Sequence, residues 1–426
     1  MQAEALHWEM GDLLYLLKQV DLPEVVFDKF GNYYFWQSLS APRIRMIDTA
    51  GIITTVAGNG VQGYSGDNGP ANAAKIYPQE FDVDSVGNIY IADRYNNRVR
   101  KVDVSTHIIT TIAGNGILGF SGDGGPALQA EIDPLGICVD RIGNLYIIDG
   151  GLRVRKIDTG GTINTIAGSG NAGYSGDGGP ALNADLMINY GIEIDTNSNI
   201  YLACESRIRK INLNTGLITT IAGNGNVTYI GDGMHADSAQ FSAFNIGIDL
   251  AGNVYIADIG NDRVYMVGTD SIFHKIAGTG VEAFGGDGGN ADTAKLFNPE
   301  GIAVDKCGNV YIADDANNRI RKVTYDSTCS YSSPVDTTDT TTAIHSIATA
   351  GSISIYPNPA KQQITISGGG DVREVMILNT IGQVLIAQKS YSNKAVIDVS
   401  ALGTGIYFIK VIDSSGAEVV KRFLKE

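Results

Sequence analysis

The chain has 426 residues, 43% of them hydrophobic, which exceeds the length of one small domain and is typical of a globular composition. Its formal charge is −15, and residues 351–426 carry 8 Lys+Arg and 6 Asp+Glu, so the rest of the chain holds a net charge of −17. An acidic body repels phosphate backbones and anionic lipids, which argues against nucleic acid as a partner. No run of about 20 apolar residues occurs, so no transmembrane segment is predicted.

Residues 1–20 form an atypical N-terminal segment, MQAEALHWEMGDLLYLLKQV. A secretory signal peptide needs a basic start and a cleavage site with small residues, whereas this segment starts with acids and lacks such a site. The sequence therefore predicts no signal peptide within these residues.

One motif recurs six times along the chain. Its copies are GNYYFWQ at 31–37, GNIYIAD at 87–93, GNLYIID at 143–149, SNIYLAC at 198–204, and GNVYIAD at 252–258 and 308–314. A second motif, of the type TTIAGNG, recurs at a nearly constant distance from the first motif in five copies, starting at 54–60. Two motifs held in one register indicate a tandem repeat of about 55 residues.

Each repeat predicts four short strands, a to d. In the last repeat, strand a covers residues 301–305, strand b 310–313 and strand c 319–323. Strand d, where a repeat has one, is of the type found at residues 218–222. Strands a and b are apolar on both sides, which requires cover on both faces. Strand c alternates, and at 98–102 this places Arg100 on a side that we expect to be wetter.

The sequence GNVYIADDANNRIRKV at 308–323 and its relatives resemble NHL repeats. The resemblance implies an all-β fold, a six-bladed β-propeller over residues 21–325, with binding surfaces on its flat ends. It does not by itself imply a ligand or a reaction.

The sixth repeat lacks a strand d of the TIAGNG type, because the chain passes from Val323 into a tail of different composition. A propeller commonly closes with a strand from its N-terminus, but the segment before Gly11 has no such motif. We therefore expect the last blade to be incomplete or closed by a poor substitute strand. We also expect the natural chain to begin further upstream, with a signal peptide and the missing strand.

An aspartate closes strand b in four repeats, and an arginine opens strand c in all six. The aspartates are Asp93, Asp149, Asp258 and Asp314. The arginines are Arg43, Arg98, Arg153, Arg207, Arg263 and Arg319. A binding site does not need six copies, so we expect turn caps with an ion pair or backbone hydrogen bonds that hold the b–c loop.

The loops between strands d and a repeat a glycine-rich patch around one aspartate. These residues are Asp67, Asp123, Asp177 and Asp287. Calcium sites of the EF-hand type need several oxygen side chains, and one recurring carboxylate per loop favours a glycine turn. No cofactor and no metal site are predicted, and calcium binding is kept as an alternative.

The inner strands differ more among repeats than the outer ones do. Four carboxylates, Glu24, Glu80, Asp82 and Glu193, occupy positions that face the expected axis. If they gather there, they need a cation or raised pKa values. The simpler interpretation is that they are solvated at a channel mouth.

Some propellers similar to this one are lyases or lactonases with metal-bound histidines or acids. The five histidines here show no metal-binding spacing, and no nucleophile is paired with a base. Cys138 and Cys204 fall at strand positions and are expected to be small buried side chains. Cys307 and Cys329 lie in a turn and a tail and are able to pair in an oxidising compartment.

Residues 326–350 are rich in Ser, Thr and Asp, and this composition predicts a flexible linker. Alternating strands then return within 351–426, and their spacing predicts a small Ig-like β-sandwich. The expected strands are 353–356, 363–366, 372–378, 384–388, 395–399 and 406–412.

This last segment resembles the type IX secretion system C-terminal sorting domain. The motif Tyr356-Pro357-Asn358-Pro359 carries the resemblance, together with LNTIGQ at 378–383, LGTGIY at 402–407 and the terminal VVKRFLKE. The resemblance implies export through the outer membrane of a Bacteroidetes-type bacterium, to the cell surface or the medium, with the type IX machinery as partner.

The function expected from these features is non-catalytic binding of an extracellular protein or glycan. The alternative is a metal-dependent propeller lyase or hydrolase that uses the axial carboxylates. A third interpretation, in which the repeats only space or scaffold a surface matrix, has no sequence feature against it.

Overall fold

The computed structural model describes residues 4–5, 24–37, 40–204, 206–324, 354–356, 361–378, 384–403, 405–413 and 418–425. The chain divides into two compact units, Met1–Val335 and Asp336–Glu426. The predicted linker 326–350, Cys329 and Pro357-Asn358-Pro359 lie outside the described residues, as does the N-terminal segment apart from Glu4 and Ala5.

The described part of the first unit contains six antiparallel sheets, here called blades 1 to 6 in chain order. β1 (Glu4–Ala5) comes first along the chain but belongs to blade 6. Blade 1 holds β2 (Val25–Phe27), β3 (Tyr33–Gln37), β4 (Arg43–Ile47) and β5 (Ile53–Ala57). Blade 2 holds β6 (Gly69–Pro70), β7 (Glu80–Val83), β8 (Ile89–Asp93), β9 (Arg98–Val102) and β10 (Ile108–Ala113). Blade 3 holds β11 (Gly125–Pro126), β12 (Pro134–Val139), β13 (Leu145–Asp149), β14 (Arg153–Ile157) and β15 (Thr162–Ala167).

The remaining blades repeat this plan. Blade 4 holds β16 (Ile192–Ile194), β17 (Asn199–Cys204), β18 (Arg207–Asn212) and β19 (Leu217–Ala222). Blade 5 holds β20 (Met234–His235), β21 (Ala243–Ile248), β22 (Val254–Asp258), β23 (Arg263–Val267) and β24 (Ile272–Ala277). Blade 6 holds β25 (Pro299–Val304), β26 (Val310–Asp314) and β27 (Arg319–Thr324), with β1 at its outer edge.

The six blades form a closed ring. Each inner strand contacts the inner strand of the next blade, through β2, β7, β12, β16, β21 and β25, and β25 contacts β2 again. Apolar side chains fill the space between blades, as where Trp36 and Ile44 of blade 1 pack with Phe81 and Ile91 of blade 2. The all-β propeller predicted from the repeat is therefore confirmed.

The outer edge of blade 6 is formed by the N-terminal end of the chain. β1 pairs antiparallel with β27, with Glu4 opposite Thr324 and Ala5 opposite Val323. This strand has two residues, whereas strand d of each other blade has five or six. The closing strand is thus a short substitute, as the missing TIAGNG motif predicted.

Three blades carry a fifth strand that the repeat pattern did not predict. β6, β11 and β20 each pair with the outer strand of their blade. The chain leaving one blade crosses to the outer edge of the next before it turns inward, and it covers an edge that would otherwise be open. A 3₁₀ helix follows this crossing in each case. Among the described residues of the propeller, the 3₁₀ helices are Ala71–Ala73, Arg94–Asn96, Ala127–Gln129, Ala181–Asn183, Ala236–Ser238, Ala291–Thr293 and Asp315–Asn317.

The described part of the second unit is one sheet of β28 (Ser354–Tyr356), β29 (Gln363–Leu378), β30 (Val384–Asp398), β31 (Gly405–Asp413) and β32 (Glu418–Lys425). The strands predicted at 363–366 and 372–378 are continuous in β29, and those at 384–388 and 395–399 are continuous in β30. Their pairing persists through a register shift between Ser367 and Val372. Ile364, Val375, Ile397 and Ile409 share one buried cluster, so both halves of β29 face the same core. The Ig-like topology stays a prediction.

The cysteines have different environments. Cys138 and Cys204 are buried, as predicted. Cys307 is disulfide-bonded. Among the described residues, no helix is long and apolar enough to cross a membrane.

Candidate functional site at the propeller axis

The four carboxylates singled out in the sequence come together around the axis. Glu24 precedes β2, Glu80 and Asp82 belong to β7, and Glu193 belongs to β16. The charges of Glu80, Asp82 and Glu193 all act on Glu24, which places the four groups within electrostatic reach of one another.

Three of these carboxylates join neighbouring blades. Glu24 of blade 1 accepts the backbone N–H of Phe81 in blade 2 at 2.9 Å. Glu80 and Asp82 of blade 2 accept the N–H groups of Ile137 and Val139 in blade 3, each at 2.8 Å. The inner strand of a blade is a sheet edge with unpaired N–H groups, and these side chains satisfy them.

Glu80 also reaches across the ring. Asn245 of blade 5 donates its side-chain N–H to Oε1 of Glu80 at 3.4 Å. Glu24 and Glu80 are 9% and 3% exposed, so the expectation that they are solvated at a channel mouth is wrong for these two. The inner strands approach closely enough to exclude water from both carboxyl groups, which the spacing of the repeat did not reveal.

Gly136 permits this close approach. A Cβ at residue 136 would lie 2.5 Å from Oε2 of Glu80 and would also collide with the carbonyl oxygen of Tyr190. We expect Gly136→Ala to lower the free energy of unfolding by about 1–3 kcal/mol, because Glu80 must give up its bond to Ile137. Urea unfolding followed by circular dichroism measures this change. Gly285→Ala is the matched control, because a Cβ there meets only the flexible Lys295 side chain at 3.9 Å; equal losses in both variants would contradict the assignment.

Burial raises the pKa of all four carboxylates. The pKa of Glu24 rises well above its usual value through burial and then through the charge of Glu80. Burial likewise raises the pKa of Glu80 well above its usual value. Burial raises the pKa of Asp82 to about 7, and burial together with the charge of Asp82 raises the pKa of Glu193 to about 8. Part of this cluster is therefore protonated near neutral pH.

Glu193 differs from the other three because it opens into a cavity. It accepts the backbone N–H of its own neighbour Ile194 and lines a cavity of about 420 Å³ at the a–b turn end of the ring. Blades 1, 2, 4, 5 and 6 also line it, through residues that include Lys29, Ser85, Asn197, Leu250 and Lys306. We call this space the turn-face cavity.

A repeated aspartate shapes the rim of the turn-face cavity. In blade 2, Oδ1 of Asp84 accepts the N–H groups of Val86, Gly87 and Asn88, while Oδ2 accepts the side-chain N–H of Asn88 at 2.7 Å and the hydroxyl of Tyr90 at 3.1 Å. The equivalent residues are Asp28, Asp140, Asp195, Asp249 and Asp305. Our sequence interpretation assigned them no role, although Asn four residues later and Tyr six residues later recur in every repeat.

Three of the four aspartates that close strand b pair with a different arginine from the one the sequence suggested. Asp149 lies 3.0 Å from Nη1 of Arg155, and Asp314 lies 3.0 Å from Nη1 of Arg321. These are the second arginines of strand c, and Arg100, Arg155 and Arg209 are 0–1% exposed. The wetter side expected for Arg100 is therefore wrong, because the crossing loop before each inner strand covers it. The R-x-R spacing was the signal that could have identified this pair.

The second arginines also hold the glycine-rich loops. Arg100 pairs with Asp67 at 2.6 Å, Arg155 with Asp123 at 2.7 Å and Arg209 with Asp177 at 2.9 Å. Arg321 pairs with Asp287 in the same way. In blade 5 the arginine is replaced by Tyr265, and Asp232 instead accepts the N–H of Lys275. Ion pairs and backbone bonds thus occupy the loop carboxylates.

The first arginines of strand c bind backbone carbonyls. Arg98 donates to Asn96 O at 2.7 Å and to Asn115 O at 3.3 Å. Arg263 donates to Asn261 O and Thr279 O. In blades 2 to 6, the first arginine also stacks on an aromatic ring of the crossing loop. The pairs are Arg98–Tyr64, Arg153–Phe120, Arg207–Tyr174, Arg263–Tyr229 and Arg319–Phe284.

Two family models match the chain. The model described as secretion system C-terminal sorting domain matches residues 354–426. The model described as Teneurin NHL domain matches residues 118–174 and 276–355. Teneurin-1 of Homo sapiens is 28% identical over 55% of this chain, and Teneurin-1 of Gallus gallus is 30% identical over 57%. The chain spans 10% of the length of each of these relatives.

Solved structures share the propeller fold. A protein of unknown function from Bacteroides thetaiotaomicron has a TM-score of 0.52 at 19% identity, covering 72% of this chain and 70% of its own. An auxiliary nutrient binding protein from the same organism has a TM-score of 0.51 at 16% identity, covering 71% and 68%. The sorting domain gives the protein an extracellular or outer-membrane-surface location. The chain therefore joins an NHL-repeat β-propeller to a type IX C-terminal sorting domain.

Proposed function

We propose that this protein works outside the cell as a non-catalytic binding propeller for a protein or glycan, exported by the type IX machinery through its sorting domain. The observation that carries the proposal is the different use of the axial carboxylates. Glu24, Glu80 and Asp82 are hydrogen-bonded between blades, while Glu193 lines an open cavity.

The hydrogen bonds of the axial carboxylates favour structure over catalysis. A general acid or base must reach the reacting group of a substrate, and a metal ligand must present free oxygen lone pairs. The oxygens that Glu24, Glu80 and Asp82 direct to the next blade are used in holding the ring together. Among the described residues, no group of three or more His, Cys, Asp or Glu side chains is arranged to hold a metal.

The turn-face cavity has the dimensions of a ligand site. Its volume of about 420 Å³ lies within the range of 300–1,000 Å³ that is usual for ligand pockets. The lysines Lys29 and Lys306, the hydroxyl of Ser85, the amide of Asn197 and the apolar Leu250 line it together. Such a mixture suits one side chain of a protein or one unit of a glycan.

The proposal predicts that binding depends on Leu250 and Glu193. The full chain is screened against arrays of glycans and extracellular proteins, and the affinity of each hit is measured for Leu250→Ala and Glu193→Gln. We expect about a tenfold loss in each variant, since both residues line the cavity. Ile142→Ala is the matched control, because Ile142 is 76% exposed at the a–b turn of blade 3, compared with 72% for Leu250 at that of blade 5, and lies outside the cavity lining.

Metal analysis of the purified full chain separates this proposal from the enzymatic alternative. Stoichiometric calcium or zinc that disappears in Glu193→Gln and Asp82→Asn would favour a metal-dependent lyase or hydrolase and would overturn the non-catalytic proposal. Protein without stoichiometric metal that binds an array ligand supports it.

A further inference from the structure

A second cluster of side chains, aromatic and charged as in many binding sites, lies on the face opposite to the turn-face cavity. The strands are antiparallel, so the b–c loops and the entries to the inner strands share one face, and the a–b turns share the other. On the first face, Tyr77, Arg94, Tyr95, Tyr190 and Phe244, together with Asp133, form what we call the loop-face patch. It spans the entries to blades 2, 3, 4 and 5.

The loop-face patch consists of two aromatic pairs beside one arginine. The rings of Tyr77 and Tyr95 lie 4.2 Å apart between centroids, and those of Tyr190 and Phe244 lie 4.8 Å apart. The guanidinium of Arg94 lies 5.5 Å from the ring centroid of Tyr95 and is within electrostatic reach of Tyr190. Tyr95 is 48% exposed, and the other three rings are partly exposed.

The repeat does not require these residues. The b–c loop that carries Arg94 and Tyr95 in blade 2 has Gly150 and Gly151 in blade 3. A Cβ at residue 150 would meet no atom within 4 Å, so the space beside Asp133 is open. Residues that hold a blade together recur around the ring: the turn aspartates occur in all six repeats and the second arginines in five. Side chains that occur in only one sector of the ring instead indicate a surface that binds a ligand.

The charges in the loop-face patch are internally balanced. Nε of Arg94 lies 3.1 Å from Oδ1 of Asp133, and its Nη1 donates to Oε1 of Gln79 at 3.5 Å. The side chains of Arg94 and Asp133 are 25% and 22% exposed, so each keeps an edge open to a ligand. A neutral patch in a chain of net charge −15 offers no attraction to an anionic ligand and no unpaired carboxylate to a cationic one.

We propose that the loop-face patch binds a neutral oligosaccharide. The C–H faces of a sugar ring are apolar and pack on exposed tyrosine rings. A hydroxyl group both donates and accepts hydrogen bonds, so it can bind the carboxylate of Asp133 and the guanidinium of Arg94 at once. This site goes beyond the proposed function because it lies on the opposite face from the turn-face cavity, and each can fail without the other.

The test uses the full chain on an array of neutral hexasaccharides, namely β-1,4-glucan, β-1,3-glucan, mannan and xylan fragments, printed beside acidic glycans and random peptides. The affinity for each neutral hexasaccharide that binds is then measured by calorimetry. We expect Tyr95→Ala and Tyr190→Ala each to weaken binding by about tenfold or more, and Tyr95→Phe to keep most of it. Because the ligand is neutral, the affinity should change less than about twofold between about 50 and 500 mM NaCl.

Phe30→Ala is the matched control, because Phe30 is 42% exposed in a turn on the opposite face. Leu250→Ala should also leave hexasaccharide binding unchanged, which separates this site from the turn-face cavity. Circular dichroism verifies that each variant is folded. The proposal is overturned if no neutral hexasaccharide binds, if only acidic glycans or peptides bind, or if binding survives both tyrosine variants.

Discussion

Replacing Arg155 with alanine is expected to lower the free energy of unfolding of the propeller by about 3–5 kcal/mol, the cost of breaking a buried ion pair on one side. Arg155 is 0% exposed and lies 3.0 Å from Asp149 and 2.7 Å from Asp123. It also donates to the backbone oxygens of Ser121 and Glu131. Its loss leaves the buried carboxylate of Asp149 unpaired and releases the crossing loop that enters blade 3.

Urea unfolding of the full chain, followed by circular dichroism, measures this loss. Arg153→Ala is the control, because Arg153 opens the same strand but stacks on Phe120 at 3.9 Å and is only partly buried. We expect this variant to lose about 0.5–1 kcal/mol. Adding Asp149→Asn to Arg155→Ala should recover part of the stability, since the buried position 149 then carries no unpaired charge. Similar losses for Arg153→Ala and Arg155→Ala would show that burial of the ion pair is not the cause.

The propeller is expected to become less stable as the pH rises from about 5 to about 9, by about 2–4 kcal/mol. Burial raises the pKa of Asp82 to about 7, and burial raises the pKa of Glu193 to about 8. An acid with a higher pKa in the folded chain binds its proton more tightly there than in the unfolded chain. Its stabilising contribution is complete below the unfolded pKa of about 4 and is lost as the pH passes the folded value.

Free energies of unfolding measured at several pH values test this dependence. Asp82→Asn and Glu193→Gln should each flatten the decline, because an amide does not titrate. Asp103→Asn is the control: hydrogen bonds from Ser105 and Thr106 lower the pKa of Asp103 to about 2, so its titration affects stability only in acid. A decline that is unchanged in both axial variants would show that other groups carry the pH dependence.

Much of the propeller could be predicted from the repeat. Strand b of the last blade was predicted at 310–313 and spans Val310–Asp314, and strand c was predicted at 319–323 and spans Arg319–Thr324. These boundaries are local, since a Gly-Asn turn and an alternation of apolar residues define them. The edge strands β6, β11 and β20 were not predicted, because each depends on a partner strand about 40 residues away.

The sequence predicted which residues form the axial site, but not how deeply they are buried or what they bind. The positions of Glu24, Glu80, Asp82 and Glu193 in the repeat were enough to place them on the inner strands. Their burial and their bonds to the next blade depend on how closely six separate strands approach the axis. That distance is set by packing between blades, including the close contact at Gly136.

By itself, the sequence determined the repeat, its strands and the sorting domain, because each is encoded in contiguous residues. Only the tertiary structure decided that Arg100 and Arg155 are buried, and that three axial carboxylates are held between blades while Glu193 opens into a cavity. It also decided that Tyr95 and Tyr190 lie on one face, both within electrostatic reach of Arg94. The physical reason is that burial, pairing and pKa depend on what covers a side chain. In a ring of blades that cover comes from the neighbouring repeat or from across the axis.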